Sequence, residues 1–294
     1  MQGRLSSGME HQFTLGIPTG ESTLSVSRQL SAINRRLVSS DANYRVSIRF
    51  SPLSGTADGV ISVSSAANGW CNQSIWNIGR RARSQFYDAM AITEDGEDIW
   101  PRPIFSENPY DEFRPYLDDA HFLGSAPEIN ADGTSGVAGE WDYTVLGLFG
   151  NDDTVPALDE AAVVFLGDHT DTAGNYKSIG LSELWLQNTN APGSESNRQP
   201  IEDADVDNPM LMLFRGATED QDEDAMTIIT EANRLRPYTL NDVYDTLVLR
   251  GHGHFDTDSY SHLTVPSFSA MGGLVRFNNT TDQTVACIVT VHGL

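Results

Sequence analysis

Apolar and polar residues alternate with period two over Tyr44-Arg-Val-Ser-Ile-Arg-Phe50, the pattern of a strand buried on one face. Gly59 to Ser64 repeats the pattern after a Pro- and Gly-containing turn. Further strands are expected at Trp141 to Phe149, Ala161 to Leu166, Ile179 to Gln187, Met210 to Arg215 and Thr246 to Phe255. Three more follow at Leu263 to Phe268, Gly273 to Phe277 and Thr284 to Val291. Turn signals such as Gly150-Asn-Asp-Asp and Asn278-Asn separate them.

Helical spacing is expected in three places. Leu24, Leu30, Ile33 and Leu37 recur near helical intervals within Thr23 to Val38. Trp76, Gly79, Arg83, Phe86 and Met90 form a stripe along Asn72 to Ala91 that must cover a sheet or a neighbouring subunit. Thr218 to Leu235 opens on acidic residues, which a helix dipole favours in a first turn. From Thr93 to Gly139 the chain is acidic and Pro-rich without periodicity, and a long loop in a compact domain is usually functional.

About ten strands against two or three helices point to a mainly β chain, an antiparallel β-sandwich. Long excursions between strands fit a jelly roll better than an up-and-down barrel, and a single roll better than a double one. No repeat or low-complexity linker divides the chain. The expected organisation is a flexible lead-in over 1–10 and one jelly-roll domain over 11–294, with helical and acidic insertions near 70–139 and 216–240.

Composition narrows the function. Lys and Arg total 18 against 41 Asp and Glu, for a net charge of −23, and Lys177 is the one lysine. Such a chain repels nucleic acid and anionic membranes overall, and its Arg-for-Lys, Asp-rich skew is that of a salt-adapted or GC-rich source. No apolar run nears the length of a membrane span, and the first ten residues carry no apolar signal core, so retention in a cytoplasm is expected. Cys71 and Cys287 lie far apart without metal spacing and read as free thiols packed as small hydrophobes.

Motifs for chemistry are sparse. Nucleophile-elbow, phosphate-loop, His-Glu-x-x-His and paired-cysteine patterns are all missing. His252 and His254, at i and i+2 beside Asp256, would share one strand face and could seed a metal site, as in cupins. The downstream segment from Leu263 supplies no further ligand, so a polar strand face near a turn is the competing reading. Asp203, Asp205 and Asp207 resemble the opening of a calcium loop, but Asn208 and Phe214 stand where its Gly and Glu belong. A structural calcium held between subunits would need only such clustered carboxylates. Arg80, Arg81 and Arg83 are the main basic cluster; they could grip phosphates without reading bases, or pair with the surplus carboxylates.

Three stretches carry a resemblance. Leu24 to Phe50 sets Asn34-Arg-Arg-Leu37 before the strand Tyr44 to Phe50. Trp76 to Met90 reads Trp-x-x-x-Arg-Arg-Ala-Arg-x-x-Phe-x-x-Ala-Met and is followed by Tyr110-Asp-Glu-Phe-Arg114. The end of the chain has Thr264-Val-Pro-Ser-Phe-Ser-Ala-Met-Gly-Gly-Leu-Val-Arg-Phe. Together these resemble major capsid proteins of small tailless icosahedral viruses, including those of environmental single-stranded DNA genomes. The resemblance implies self-assembly into a virion shell in the host cytoplasm and no catalytic residues. With only Arg4, Arg28, Arg35 and Arg36 in the first 40 residues, a basic arm cannot neutralise a genome. Direct nucleic-acid binding would then be weak or absent, and an internal membrane, another virion protein or high salt would stand in.

In that reading the partner is another copy of the chain. Trp100, Phe105, Tyr110, Phe113, Arg114 and Tyr116, with Trp76 and Phe86 of the helix, are the expected subunit contacts, because aromatics and Arg are enriched at interfaces. The alternative for these residues is that they close the base of their own domain. Two other functions stay open: a cupin- or lectin-like sandwich binding a metal or carbohydrate, and a tail or decoration protein of a tailed phage.

Overall fold

The structure, a computed structural model, describes residues 10–34, 38–39, 43–52, 58–90, 113–129, 143–148, 159–172, 175–189, 247–256 and 263–292. The fold is mainly β with antiparallel sheets. The chain divides into two compact units. Unit 1 joins Met1–Gly69, Tyr116–Asp142 and Leu247–Leu294; unit 2 joins Trp70–Pro115 and Tyr143–Thr246.

Unit 1 holds two four-stranded sheets. Sheet A places β1 (His11–Ile17), β13 (Val285–His292), β3 (Asn43–Pro52) and β11 (Leu263–Met271) side by side in that order. Sheet B places β10 (Val248–Phe255), β4 (Gly59–Ser65), β12 (Leu274–Asn279) and β2 (Gly20–Ser25) in that order. Counting only these eight strands, the first pairs with the last, the second with the seventh, the third with the sixth and the fourth with the fifth, all antiparallel.

Period-two patterning explains which side of each strand is buried. In β13 Val285, Cys287, Val289 and Val291 point inward while the residues between them do not. Inward side chains of both sheets make one core, in which Phe50 of β3 meets Phe277 of β12 edge-to-face at 6.1 Å. Cys287 is a free thiol in this core, and burial pushes its titration far up, which keeps it unreactive. The chain crosses from sheet A to sheet B at Gly272 and Gly273, whose φ of 62° and 74° is the region glycine adopts without a Cβ penalty.

Sheet B is covered on part of its outer side. Here β12 is buried on both faces, with Phe277 in the core and Arg276 outside it yet only 5% exposed. The cover is the stretch 116–129, containing β5 (Tyr116–Asp118) and the one-turn α3 (Asp119–Phe122). It forms a parallel bridge to the edge strand β2, with Thr23 N–H donating to Pro127 and Ile129 N–H donating to Thr23. The bridge occupies backbone groups that an open edge would leave unpaired.

Unit 2 contains β6 (Val145–Leu148), β7 (Asp159–Leu166), β8 (Thr170–Thr172), β9 (Asn175–Gly180), α2 (Trp70–Met90) and α4 (Leu181–Thr189). β7 is antiparallel to β6 and parallel to β9, which is antiparallel to β8. Every residue from Ala161 to Leu166 is buried, which is why this run shows no alternation. Trp76 of α2 fills the unit between Phe113 and Phe165, edge-to-face at 5.2 and 5.1 Å. A Cβ on Gly79 would stand 2.6 Å from Phe113 and 2.7 Å from Leu181, so only glycine lets α2 approach this closely.

Several elements differ from their sequence expectation. The helix expected over Thr23 to Val38 begins only at Val26, as α1 (Val26–Asn34), because Ser22 to Ser25 pair with β12. The strand expected over Ile179 to Gln187 ends at Gly180 and turns into α4; Ile179-Gly-Leu-Ser-Glu-Leu-Trp-Leu is apolar enough for either state. Inside the loop expected from Thr93 to Gly139, 116–129 is ordered by its contacts with β2 and β12. The strand expected over Met210 to Arg215 and the helix over Thr218 to Leu235 lie outside the described residues. Among the described residues no helix is long and apolar enough to cross a membrane.

Candidate functional site

Unit 1 presents two chemically distinct outer faces. On sheet B, the Arg276 guanidinium donates to Glu21 of β2 at 2.9 Å and to Asp118 at the start of α3. Asp118 Oδ1 also accepts the His121 N–H at 2.9 Å, capping α3. A second pair, Arg28 to Glu128 at 2.9 Å, ties α1 to the far end of the same cover. Between them His121 is 4% exposed, and its Nδ1 accepts the Leu117 N–H at 3.2 Å. Burial, then the positive charges of Arg276 and Arg28, hold this imidazole neutral down to about 3. These pairs lie within one unit and fasten the cover to the sheet.

On sheet A, Arg45, Ser47 and Arg49 alternate with the buried Val46, Ile48 and Phe50, so all three share the outer face. Ser47 Oγ lies 2.9 Å from His292 Nε2, and His292 Nδ1 lies 3.2 Å from a Glu10 oxygen. The atoms stand in the order that activates a serine nucleophile. They do so on a sheet face where Glu10 is 67% exposed and, among the described residues, nothing excludes water, so the relay ties β1, β13 and β3 together. Arg45 donates to Ser267 of β11 at 2.8 Å.

The histidines expected on one strand face are both exposed on the outer side of β10. Gly251 and Gly253 cause this, because they face inward against Val265 and Leu263 where a larger side chain would clash. Asp256 is exposed next to this strand's end, and no group of three or more His, Cys, Asp or Glu side chains able to hold a metal occurs among the described residues.

Of the expected contact residues, Trp76 and Phe113 are each 4% exposed and pack on one another inside unit 2, where they close their own unit. Tyr116 is half-buried in unit 1 and meets His121 and Phe122 edge-on at 5.1 and 5.4 Å. The Arg114 N–H donates to the Thr144 hydroxyl at 2.7 Å within unit 2. Arg80 and Arg81 are exposed on α2 and Arg83 is half-buried. Phe86 lies on α2, but its side chain is outside the described residues, as are Trp100, Phe105, Tyr110, Asp203, Asp205 and Asp207.

Sequence reasoning missed the Arg276 and Arg28 pairs and the character of sheet A. The partners of Arg276 are 255 and 158 positions away, so no local spacing announces them. The signal for sheet A was available in the absence of acids from its strands. No protein-family model, no curated protein and no solved structure matches the chain.

Proposed function

We propose that the chain is a self-assembling virion shell protein built on a jelly roll. The observation that carries this reading is the pairing scheme of unit 1, first strand with last and inward to the middle, which winds one long antiparallel hairpin into two sheets. That is the strand plan of the jelly rolls found in capsid proteins, lectins and cupins. The stretches resembling capsid proteins support the first of these. The cupin-like alternative loses ground because the space between the sheets is filled by Phe50, Phe255 and Phe277, while His252 and His254 point away from it.

Copies that each carry −23 repel one another, so assembly must draw on apolar contacts, with salt or bound calcium suppressing the repulsion. Sedimentation and electron microscopy of the purified protein across NaCl and calcium concentrations test the reading. Trimers, pentamers or closed shells that grow with salt or calcium are expected. A strictly monomeric species at high concentration under every condition overturns it.

A further inference from the structure

We propose that the outer face of sheet A docks a second copy of this chain, receiving that copy's carboxylates on Arg45 and Arg49; this rests on the shell reading above. The four strands of sheet A contain two arginines and not one Asp or Glu, in a protein of net charge −23. Everything outside those strands therefore carries −25. Two like-charged copies meet most readily where one of them locally presents the opposite sign, and the Arg45–Arg49 part of this face does so, with Glu10, just ahead of β1 and paired with His292, as the carboxylate at its border.

The face is also open and preset. Gln12, Thr14, Arg45, Arg49 and Thr264 are exposed, whereas the same side of β12 in sheet B is buried. Arg45 is steadied by Ser267, and Ser47 between the two arginines is held by His292, so little side-chain freedom is lost at these two positions on docking. Arg49 is exposed and, among the described residues, no carboxylate pairs with it. At the β11 border a bulge between Val265 and Phe268 encloses Pro266, which has no N–H to donate. A partner at that border is steered onto the face of the sheet and away from extending it as a fifth strand.

Nucleic acid is the weaker occupant. Two guanidinium groups neutralise about two phosphates, giving a log–log salt slope of only about −2, against the repulsion of the remaining surface. Carboxylates of another copy are abundant, since the chain carries 41 Asp and Glu.

The full-length protein is compared with R45E/R49E, with the charge-conserving R45K/R49K and with T14E, which adds a carboxylate to the same face and leaves both arginines in place. Each is followed by sedimentation velocity at the salt concentration where the parent assembles, after a thermal melt has shown that it folds. The expected result is a loss of at least tenfold in association for R45E/R49E, a smaller loss for T14E and near-parental assembly for R45K/R49K. If R45E/R49E does not fold, T14E decides. Parental assembly by the folded acidic variants overturns the docking face while the shell reading stands. A parent that never assembles overturns both. Acidic variants that assemble normally but no longer bind a short oligonucleotide that the parent binds overturn the proposal in favour of a nucleic-acid face.

Discussion

Beneath the 116–129 cover on sheet B, Arg276 is 5% exposed and holds two carboxylates; on the open face of sheet A, Arg49 stands in solvent and Arg45 reaches only a serine hydroxyl. The residue type and the kind of strand position are the same. Surroundings separate them. A guanidinium taken out of water loses its hydration, and only close, well-aimed carboxylates offset that loss. The covered face thus requires Glu21 and Asp118, and in return the register of the cover on the sheet is set. The open face carries no such requirement, which leaves its charge available to another molecule.

The largest effect should come from breaking the covered side. Arg276→Ala leaves the mostly buried Asp118 without its partner, while the exposed Glu21 is solvated, and is expected to cost about 3 kcal/mol in urea unfolding. It should also speed amide exchange in 116–129 before the rest of unit 1. Arg49→Ala in the same assay should change stability by no more than about 0.5 kcal/mol. Equal costs for the two would erase the contrast between the faces.

Acid sharpens it next. His121 titrates near 6.5 in an unfolded chain and near 3 in the fold, so below pH 6.5 the unfolded chain takes up the proton that the folded one refuses. The stability this residue contributes is complete above 6.5 and falls as pH drops from 6.5 towards 3, by about 2 kcal/mol at pH 5. His121→Asn keeps an acceptor for the Leu117 N–H and removes the titration. Its stability should fall less between pH 7 and 5 than the parent's, and parallel curves would remove His121 from the account.

A smaller effect than either of the sheet B changes belongs to the exposed relay on sheet A. His292→Ala releases Ser47 and Glu10, and as a screened surface contact it should lower stability by about 1 kcal/mol or less in thermal melts. A loss as large as that of Arg276→Ala would mean that sheet A is covered as well.

Much of this architecture can be read along the chain. The strands β3, β4, β10, β11 and β13 fall close to their expected spans, because alternation over five or more residues has no helical counterpart, while β7 and β12, buried on both faces, are marked by short apolar runs between turn signals. β1 went unassigned although Phe13, Leu15 and Ile17 alternate with polar or small residues, and β2 was absorbed into a helix by the coincidental spacing of Leu24 with Leu30. The outward pair His252 and His254 was legible from its i, i+2 spacing. Trp76 and Phe113 were not placed, because the residues that enrich an interface also fill a core, and composition cannot distinguish the two.

Alternation settles which side of each strand turns from water, since neighbouring side chains on a strand must point to opposite faces whatever the strand pairs with. Charge counting likewise shows that any two copies repel one another. Neither says which strands become neighbours or which outer face is covered. Those outcomes depended on contacts between residues more than a hundred positions apart, such as Arg276 with Asp118 and Phe50 with Phe277, whose energies exist only once the chain has closed on itself.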